Sequence, residues 1–147
     1  MNKTKVQNLQ RMNRKVRAMP AAVKTAIREA LATGGDEVVG MMKRLAPVDD
    51  GALRDSIGWT FGQPPGGSIS VGGFGGVEDA RNSEGLRVTI YAGDADAYYA
   101  RWQEFGTAQH RAHPFFFVAW RALRKRVKSR LTRKINKAIK QVVNSHG

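Results

Sequence analysis

The chain has 147 residues, of which 41% are hydrophobic, and it carries a formal net charge of +13 at pH 7 with no cysteine. This length and apolar content suit one globular domain and argue against a disordered chain. The lack of cysteine excludes disulfide frameworks, zinc–thiolate sites and cysteine nucleophiles, and no apolar run approaches the roughly 20 residues of a membrane-spanning helix.

Residues 1–20 are basic and lack the apolar core of a secretory signal, so we expect a soluble protein made and used without export.

The first third of the chain predicts a long helix. Residues 21–45 carry apolar side chains at helical spacing, with Gly34 and Gly35 inside the run. Each glycine costs a helix about 1 kcal/mol relative to alanine, so either the helix breaks here or close packing compensates. The apolar face stays in phase across both glycines, which favours one helix that Pro47 ends.

An acidic turn follows this helix. Asp49, Asp50 and Gly51 come shortly after Pro47, and Asp55 lies four residues further on. Paired carboxylates can bind Mg²⁺ or act as acid and base, but the sequence offers no clear third ligand. The simpler interpretation is a structural turn, in which an aspartate caps the corner and the glycine takes a backbone angle that other residues avoid. We therefore predict a turn formed by Pro47, Asp49, Asp50 and Gly51.

The middle of the chain predicts a small sheet. Ten of the 16 glycines lie between Gly58 and Gly93. Three stretches have β-type composition, at residues 57–61, 68–71 and 86–91. The last alternates apolar and polar residues with the period of a half-buried strand, and residues 63–67 suit a turn between the first two strands. The polar, glycine-rich residues 72–84 form either a mobile loop or a hairpin tip that orders only in an assembly.

An aromatic segment predicts a short helix, a loop and a final helix. Residues 98–105 fit a helix with its aromatic side chains on one side and Gly106 as its end. Pro114 suits the first turn of a final helix whose apolar residues keep helical spacing almost to the end of the sequence. The aromatic group is most simply core. Three consecutive phenylalanines, at 115–117, cannot all face inward from one helix, so part of the group is expected at a subunit interface.

No grouping of side chains predicts an enzyme. His110 and His113 lie near Glu104, but their spacing matches no metalloprotease pattern, so packing or hydrogen bonding is the simpler interpretation. No serine stands in a Gly-x-Ser-x-Gly context, and the glycine run at 72–76 lacks the lysine of a phosphate-binding loop. We therefore expect no catalysis, no metal and no cofactor.

Positive charge is concentrated at the two ends. Residues 1–28 carry eight Lys/Arg and no acid, residues 29–120 carry seven bases and twelve acids, and residues 121–147 carry ten bases and no acid. Basic ends indicate a nearby nucleic acid or an acidic partner, and a solvated helix face is the plain alternative. No base-reading motif is present, so any DNA contact would be to the backbone. The candidates are Arg121, Arg124, Lys125, Lys128, Arg130, Arg133, Lys134, Lys137 and Lys140.

Together these elements predict one α+β domain over residues 1–147, with basic helical ends at 1–20 and 121–147. Its parts are a long N-terminal helix, a small antiparallel β-sheet with a glycine-rich loop, a short helix and a long basic C-terminal helix.

Two sequence blocks resemble one known family. Residues 45–57 (LAPVDDGALRDSI) resemble its first block, and residues 98–107 (YYARWQEFGT) followed by 112–115 (AHPF) resemble its second. The family is that of head–tail joining proteins of tailed bacteriophages, also described as tail components or neck proteins. The likeness covers about residues 20–130, and Asp50 stands where the family usually has threonine.

The resemblance implies a virion protein of the head–tail connector or neck, without enzymatic activity, that helps join or complete the tail. It also implies a homo-oligomeric ring around the DNA path, other neck, connector and tail proteins as partners, assembly in the host cytoplasm and no membrane contact. The interface candidates are Leu53, Arg54, Tyr99, Trp102, Glu104, Phe105, Gly106, Thr107, Pro114 and Phe115.

Two other interpretations stay open at this point. The basic ends also suit a sequence-independent nucleic-acid-binding protein of a mobile element. The acidic turn suits a small metal-dependent nuclease that would use Asp49, Asp50 and Asp55.

Overall fold

The computed structural model describes residues 20–47, 51–71, 87–94 and 100–145. In chain order the elements are α1 (Ala21–Leu45), α2 (Ala52–Asp55), β1 (Gly58–Thr60), β2 (Ile69–Val71), β3 (Thr89–Ala92), α3 (Ala100–Phe105) and α4 (Phe116–Ser145). The predicted α+β arrangement is confirmed. Asp49, Asp50, Tyr99, the glycine-rich residues 72–84 and most of the basic segment 1–20 lie outside the described residues.

Helix α1 runs without a break through its two glycines, as predicted, and an indole ring packs against the second of them. A Cβ atom on Gly35 would lie 2.8 Å from Cδ1 and Cγ of Trp59. The same indole donates a hydrogen bond from Nε1 to Oδ1 of Asp36, over 2.8 Å. Close packing and a side-chain hydrogen bond therefore offset the conformational cost of glycine within the helix.

The end of α1 follows from the proline after it. Ala46 has φ −65° and ψ 137°, which is extended backbone, and its N–H still donates to the carbonyl of Met42 over 2.9 Å. The ring of Pro47 disfavours the helical conformation for the residue before it. Lys43 and Arg44 occupy the last turn, where positive charge complements the helix dipole.

The sheet has three short strands in the order β1-β3-β2, and both outer strands run antiparallel to β3. Trp59 and Val71 are both register partners of Ile90. A turn does lie between the first two strands, where Ser68 N donates to the carbonyl of Pro65. This turn is not a hairpin, because the strands it joins lie on opposite sides of β3.

The predicted half-buried alternation along the third strand holds only in part. Val88 and Ile90 are buried and Arg87 and Tyr91 are partly exposed, as the alternation requires, but Thr89 on the outer face is buried as well.

The core lies between the sheet and the two long helices, α1 and α4, which pack against each other. Phe115 and Phe116 are both completely buried, whereas Phe117 is partly exposed. Two of the three consecutive aromatic rings can face inward because Phe115 precedes the helix and does not share its periodicity. None of the described helices is long and apolar enough to cross a membrane.

An ion-pair cluster joins the two long helices. Oε2 of Glu37 lies 2.5 Å from Nη1 of Arg130, and Oε1 lies 3.6 Å from Nε of Arg126. The glutamate and Arg130 are partly buried, whereas Arg126 is largely exposed and contributes little.

We expect Glu37→Gln to lower the free energy of unfolding by about 0.5–1 kcal/mol, because a partly shielded charge-assisted hydrogen bond is weakened. Glu29→Gln, an exposed change on the same helix, is the control and should have little effect. Urea denaturation monitored by circular dichroism measures both, and equal effects would show that the cluster adds nothing.

Candidate functional site

The second sequence block forms a corner at which a buried carboxylate caps the longest helix. Oε2 of Glu104 accepts hydrogen bonds from the backbone N–H groups of Phe115 and Phe116, each over 2.9 Å. Oε1 accepts a third from Phe117 N over 3.1 Å. The residue is only 5% exposed. Its negative charge thus lies at the start of α4, where free N–H groups and the helix dipole favour an anion.

The loop between α3 and α4 is folded back onto α3, which brings the glutamate to this position. Gly106 has φ 75°, and its N–H donates to the carbonyl of Trp102 over 2.7 Å. A Cβ atom on Gly106 would lie 2.9 Å from the backbone nitrogen of Ala112. At the far end of the loop, His113 N donates to the carbonyl of Gln103 over 2.7 Å. Glycine is therefore needed both for the backbone angle and for the space.

A threonine closes the loop itself. Oγ1 of Thr107 accepts hydrogen bonds from Gln109 N and His110 N, and Thr107 N donates to the carbonyl of His110 over 2.9 Å. The sequence Glu-Phe-Gly-Thr thus supplies the cap, an aromatic side chain, the turn and the loop closure in four consecutive residues.

The first sequence block forms another corner, at one end of the sheet. Gly51 has φ 82° directly before α2, as the predicted turn requires. Oγ of Ser56 donates to the carbonyl of Leu53 over 2.6 Å and accepts a hydrogen bond from Gly93 N over 3.0 Å. This serine links α2 to the residue that follows β3. A serine next to a short helical turn is a sequence signal for such a local hydrogen bond.

The predicted interface residues separate into inward and outward groups. Leu53, Glu104 and Phe115 are at most 5% exposed, so they contact their own chain. Arg54 and Gly106 are partly exposed, and the Nε atom of Arg54 is buried without a hydrogen bond. The outward group consists of Trp102, Phe105, Thr107 and Pro114.

Aromatic side chains form an exposed surface at the second corner. Trp102 is 51% exposed and Phe105 is 64% exposed. The ring of Phe105 lies 5.9 Å from that of Phe117, centre to centre. Val118, the next residue of α4 after Phe117, is 42% exposed. We call these four residues, Trp102, Phe105, Phe117 and Val118, the corner patch.

The basic candidates all lie on α4, which has no acidic residue. Eight of the nine are exposed, and the ninth, Arg130, is bound to Glu37. Sequence reasoning did not include Arg126, which approaches the same glutamate. An open groove along the last part of the helix is lined by Arg133, Asn136, Lys137, Lys140, Gln141 and Asn144.

The histidines of the second block do not join the buried glutamate in a cluster. His110 and His113 are exposed, whereas both oxygens of Glu104 are occupied by backbone N–H groups. Within the parts of the chain that the structure describes, no three His, Cys, Asp or Glu side chains come together in a way that could hold a metal ion.

Both blocks thus build corners of an α+β fold, in which the polar side chains serve the architecture of the chain. A family model described as "HK97-gp10_like: Bacteriophage HK97-gp10, putative tail-component" matches residues 10–106. The chain belongs to this family of bacteriophage tail components. No curated protein and no solved structure matches it. A structural tail component belongs to the virion and works with other tail proteins, in agreement with the expectation of a non-enzymatic protein.

Proposed function

We propose that the protein is a subunit of the head–tail connector that helps to join or complete the tail and forms part of a ring around the DNA path. The observation that carries this proposal is the basic outer surface of α4, in a chain that belongs to a family of phage tail components. Because DNA passes between head and tail, a subunit at that junction meets a dense polyanion.

The geometry of α4 suits contact with phosphates. Its 30 residues span about 45 Å, at about 1.5 Å per residue. Exposed Lys and Arg side chains occur along this length, and none of them has an acidic neighbour on the same helix. Such an array attracts DNA through its backbone, without reading the sequence. Glu104 caps the start of α4, and α1 packs against the helix along its length. The backbone that carries the basic side chains is therefore held in place.

Ring formation is the second part of the proposal. Closed cyclic assemblies need a contact between two different surfaces of neighbouring subunits. Of the predicted interface set, the exposed Thr107 and Pro114 and the partly exposed Arg54 are the residues that we assign to lateral contacts. Native mass spectrometry of the purified protein and of the assembled neck tests this part. A chain that stays monomeric in both, yet binds DNA with a steep salt dependence, would favour the mobile-element interpretation instead.

The DNA contact is tested by neutralising four exposed cations, with Arg124→Gln, Lys128→Gln, Lys134→Gln and Lys137→Gln in one variant. We expect weaker binding to duplex DNA and a shallower slope of log affinity against log salt, by about 1 for each lost phosphate contact. Fluorescence anisotropy between 50 and 200 mM salt, with two unrelated duplex sequences, measures both quantities. Retention of DNA in assembled particles should fall in parallel.

The matched control changes the net charge equally at exposed positions of α1, with Ala21→Glu, Ala22→Glu, Thr25→Glu and Thr33→Glu. If only overall charge matters, both variants lose affinity equally. The proposal for α4 is contradicted by that result, and also by unchanged affinity, slope and particle assembly in the glutamine variant.

A further inference from the structure

The corner patch combines exposed aromatic rings with a rigid support. Ala100 and Glu104 form the buried side of α3, so Trp102 and Phe105, three residues apart, lie together on its outer side. A fully buried aromatic side chain covers about 150–250 Å², so these two rings alone leave about 200 Å² of mostly apolar surface in water. Aromatic side chains of this kind are enriched at protein–protein interfaces relative to the rest of a protein surface.

The patch is fixed before any partner arrives. Hydrogen bonds from His113 to Gln103, and from the start of α4 to Glu104, hold α3, the loop and α4 together around it. The backbone that carries the patch is therefore already ordered, and little loop entropy is lost on binding.

The rim of the patch is positively charged. Arg101 and Arg111 are exposed on α3 and on the loop, and Arg121 is exposed one turn after Phe117 and Val118. From residue 100 to residue 145 Glu104 is the only acid, and its carboxylate is buried in the helix cap. The charge that complements this rim is negative.

A second copy of the chain is a poor source of that charge. Pairing of two corner patches would place arginine against arginine. In the parts of the chain that the structure describes, the exposed carboxylates are those of Glu29, Asp36 and Asp55. Asp36 already accepts a hydrogen bond from Trp59, and Glu29 follows Arg28 directly. The described part of the chain therefore offers a corner patch few exposed carboxylates.

Duplex DNA also fits the patch less well than a protein does. Aromatic side chains bind nucleic acid by stacking on bases, which are unstacked only in single strands. Against a duplex, Trp102 and Phe105 would meet sugar and phosphate, and the aliphatic Val118 would gain nothing. An apolar centre with an acidic rim is a combination that a protein surface provides.

We infer that the corner patch docks an acidic surface of a different virion protein, with apolar side chains at its centre that cover Trp102 and Phe105. The inference rests on the proposed function, because the partner is another component of the same assembly.

The experiment replaces Phe105 with the photocrosslinker p-benzoylphenylalanine in particles assembled from the complete set of virion proteins, and identifies the crosslinked peptides by mass spectrometry. We expect a crosslink to an acid-rich segment of one different virion protein. Adding Arg101→Glu and Arg111→Glu should lower its yield at least tenfold. The same photocrosslinker at Ser129, exposed on α4 away from the patch, is the control and should not capture that segment.

Three results would overturn this inference: a crosslink to a second copy of the chain, a crosslink to DNA, or particles that contain the chain but show no crosslink at residue 105. A double variant, Trp102→Ser with Phe105→Ser, gives a further check, since both residues are exposed and its unfolding midpoint should stay close to that of the wild type. If this variant enters particles normally, the docking site is wrong and the tail role stands. If the wild-type chain is absent from particles, the proposed function itself fails.

Discussion

Replacing Glu104 with alanine should lower the free energy of unfolding by about 3 kcal/mol, because three backbone N–H groups at the start of α4 lose their acceptors. The N–H groups of Phe115 and Phe116 belong to completely buried residues, so water cannot easily replace the carboxylate. For a chain of this size the midpoint of thermal unfolding should fall by about 10 °C. Circular dichroism and urea denaturation measure the two quantities.

Glu104→Gln separates the charge from the hydrogen bonds. Its amide keeps one acceptor oxygen and loses both the second acceptor and the negative charge near the helix dipole. We expect a loss of about half that of the alanine variant. Glu29→Ala, at an exposed position of α1, is the control for removal of a glutamate from a helix. A Glu104→Ala variant as stable as this control would show that the cap is not needed.

Two glycines of the same helix should respond to alanine in opposite directions. Gly35→Ala adds a methyl group that would lie 2.8 Å from the Trp59 indole, so the ring must move and its hydrogen bond to Asp36 is strained. We expect a net loss of about 2 kcal/mol, in spite of the gain of about 1 kcal/mol in helix propensity. Gly40→Ala meets no atom within 4 Å, so only the gain of up to about 1 kcal/mol remains.

Both variants change glycine to alanine in the same helix, and one assay measures both. That assay is the urea concentration at the unfolding midpoint, compared at a constant dependence of the free energy of unfolding on urea concentration. Fluorescence of Trp59, measured with Trp102 and Trp120 replaced by phenylalanine, adds a local readout, because the environment of the indole should change in the Gly35 variant and not in the Gly40 variant. If both variants are stabilised by the same amount, the indole does not constrain the helix.

The helices and strands could be predicted because their signals are local. The spacing of apolar residues predicted α1 and α4. Pro47 and Gly106 predicted where α1 and α3 end, because each restricts or permits the backbone conformation at its own position in the chain. The strand order β1-β3-β2 was not predicted, since both pairings join distant residues and the pattern of a short strand does not identify its neighbour.

The role of Glu104 was missed for a similar reason. Its partners lie eleven to thirteen residues further along the chain, and nearby histidines suggested a metal or packing interpretation instead. One signal was available: the residue before α4 is Phe115, whose side chain cannot cap a helix. A helix start without its own cap requires an acceptor from elsewhere, and Glu104 is the only acid between residues 100 and 145.

The packing of α1 against α4 has a consequence for how the protein is made. The ribosome completes α1 first, and α4 begins 71 residues after α1 has ended. At about 5–20 residues per second, the apolar face of α1 waits roughly 4–14 s before its partner helix begins to emerge. Before α4 emerges, the two glycines and the short strands cannot cover the apolar face of α1 on their own. The nascent chain is therefore the state of this protein that is most exposed to aggregation and to binding by chaperones.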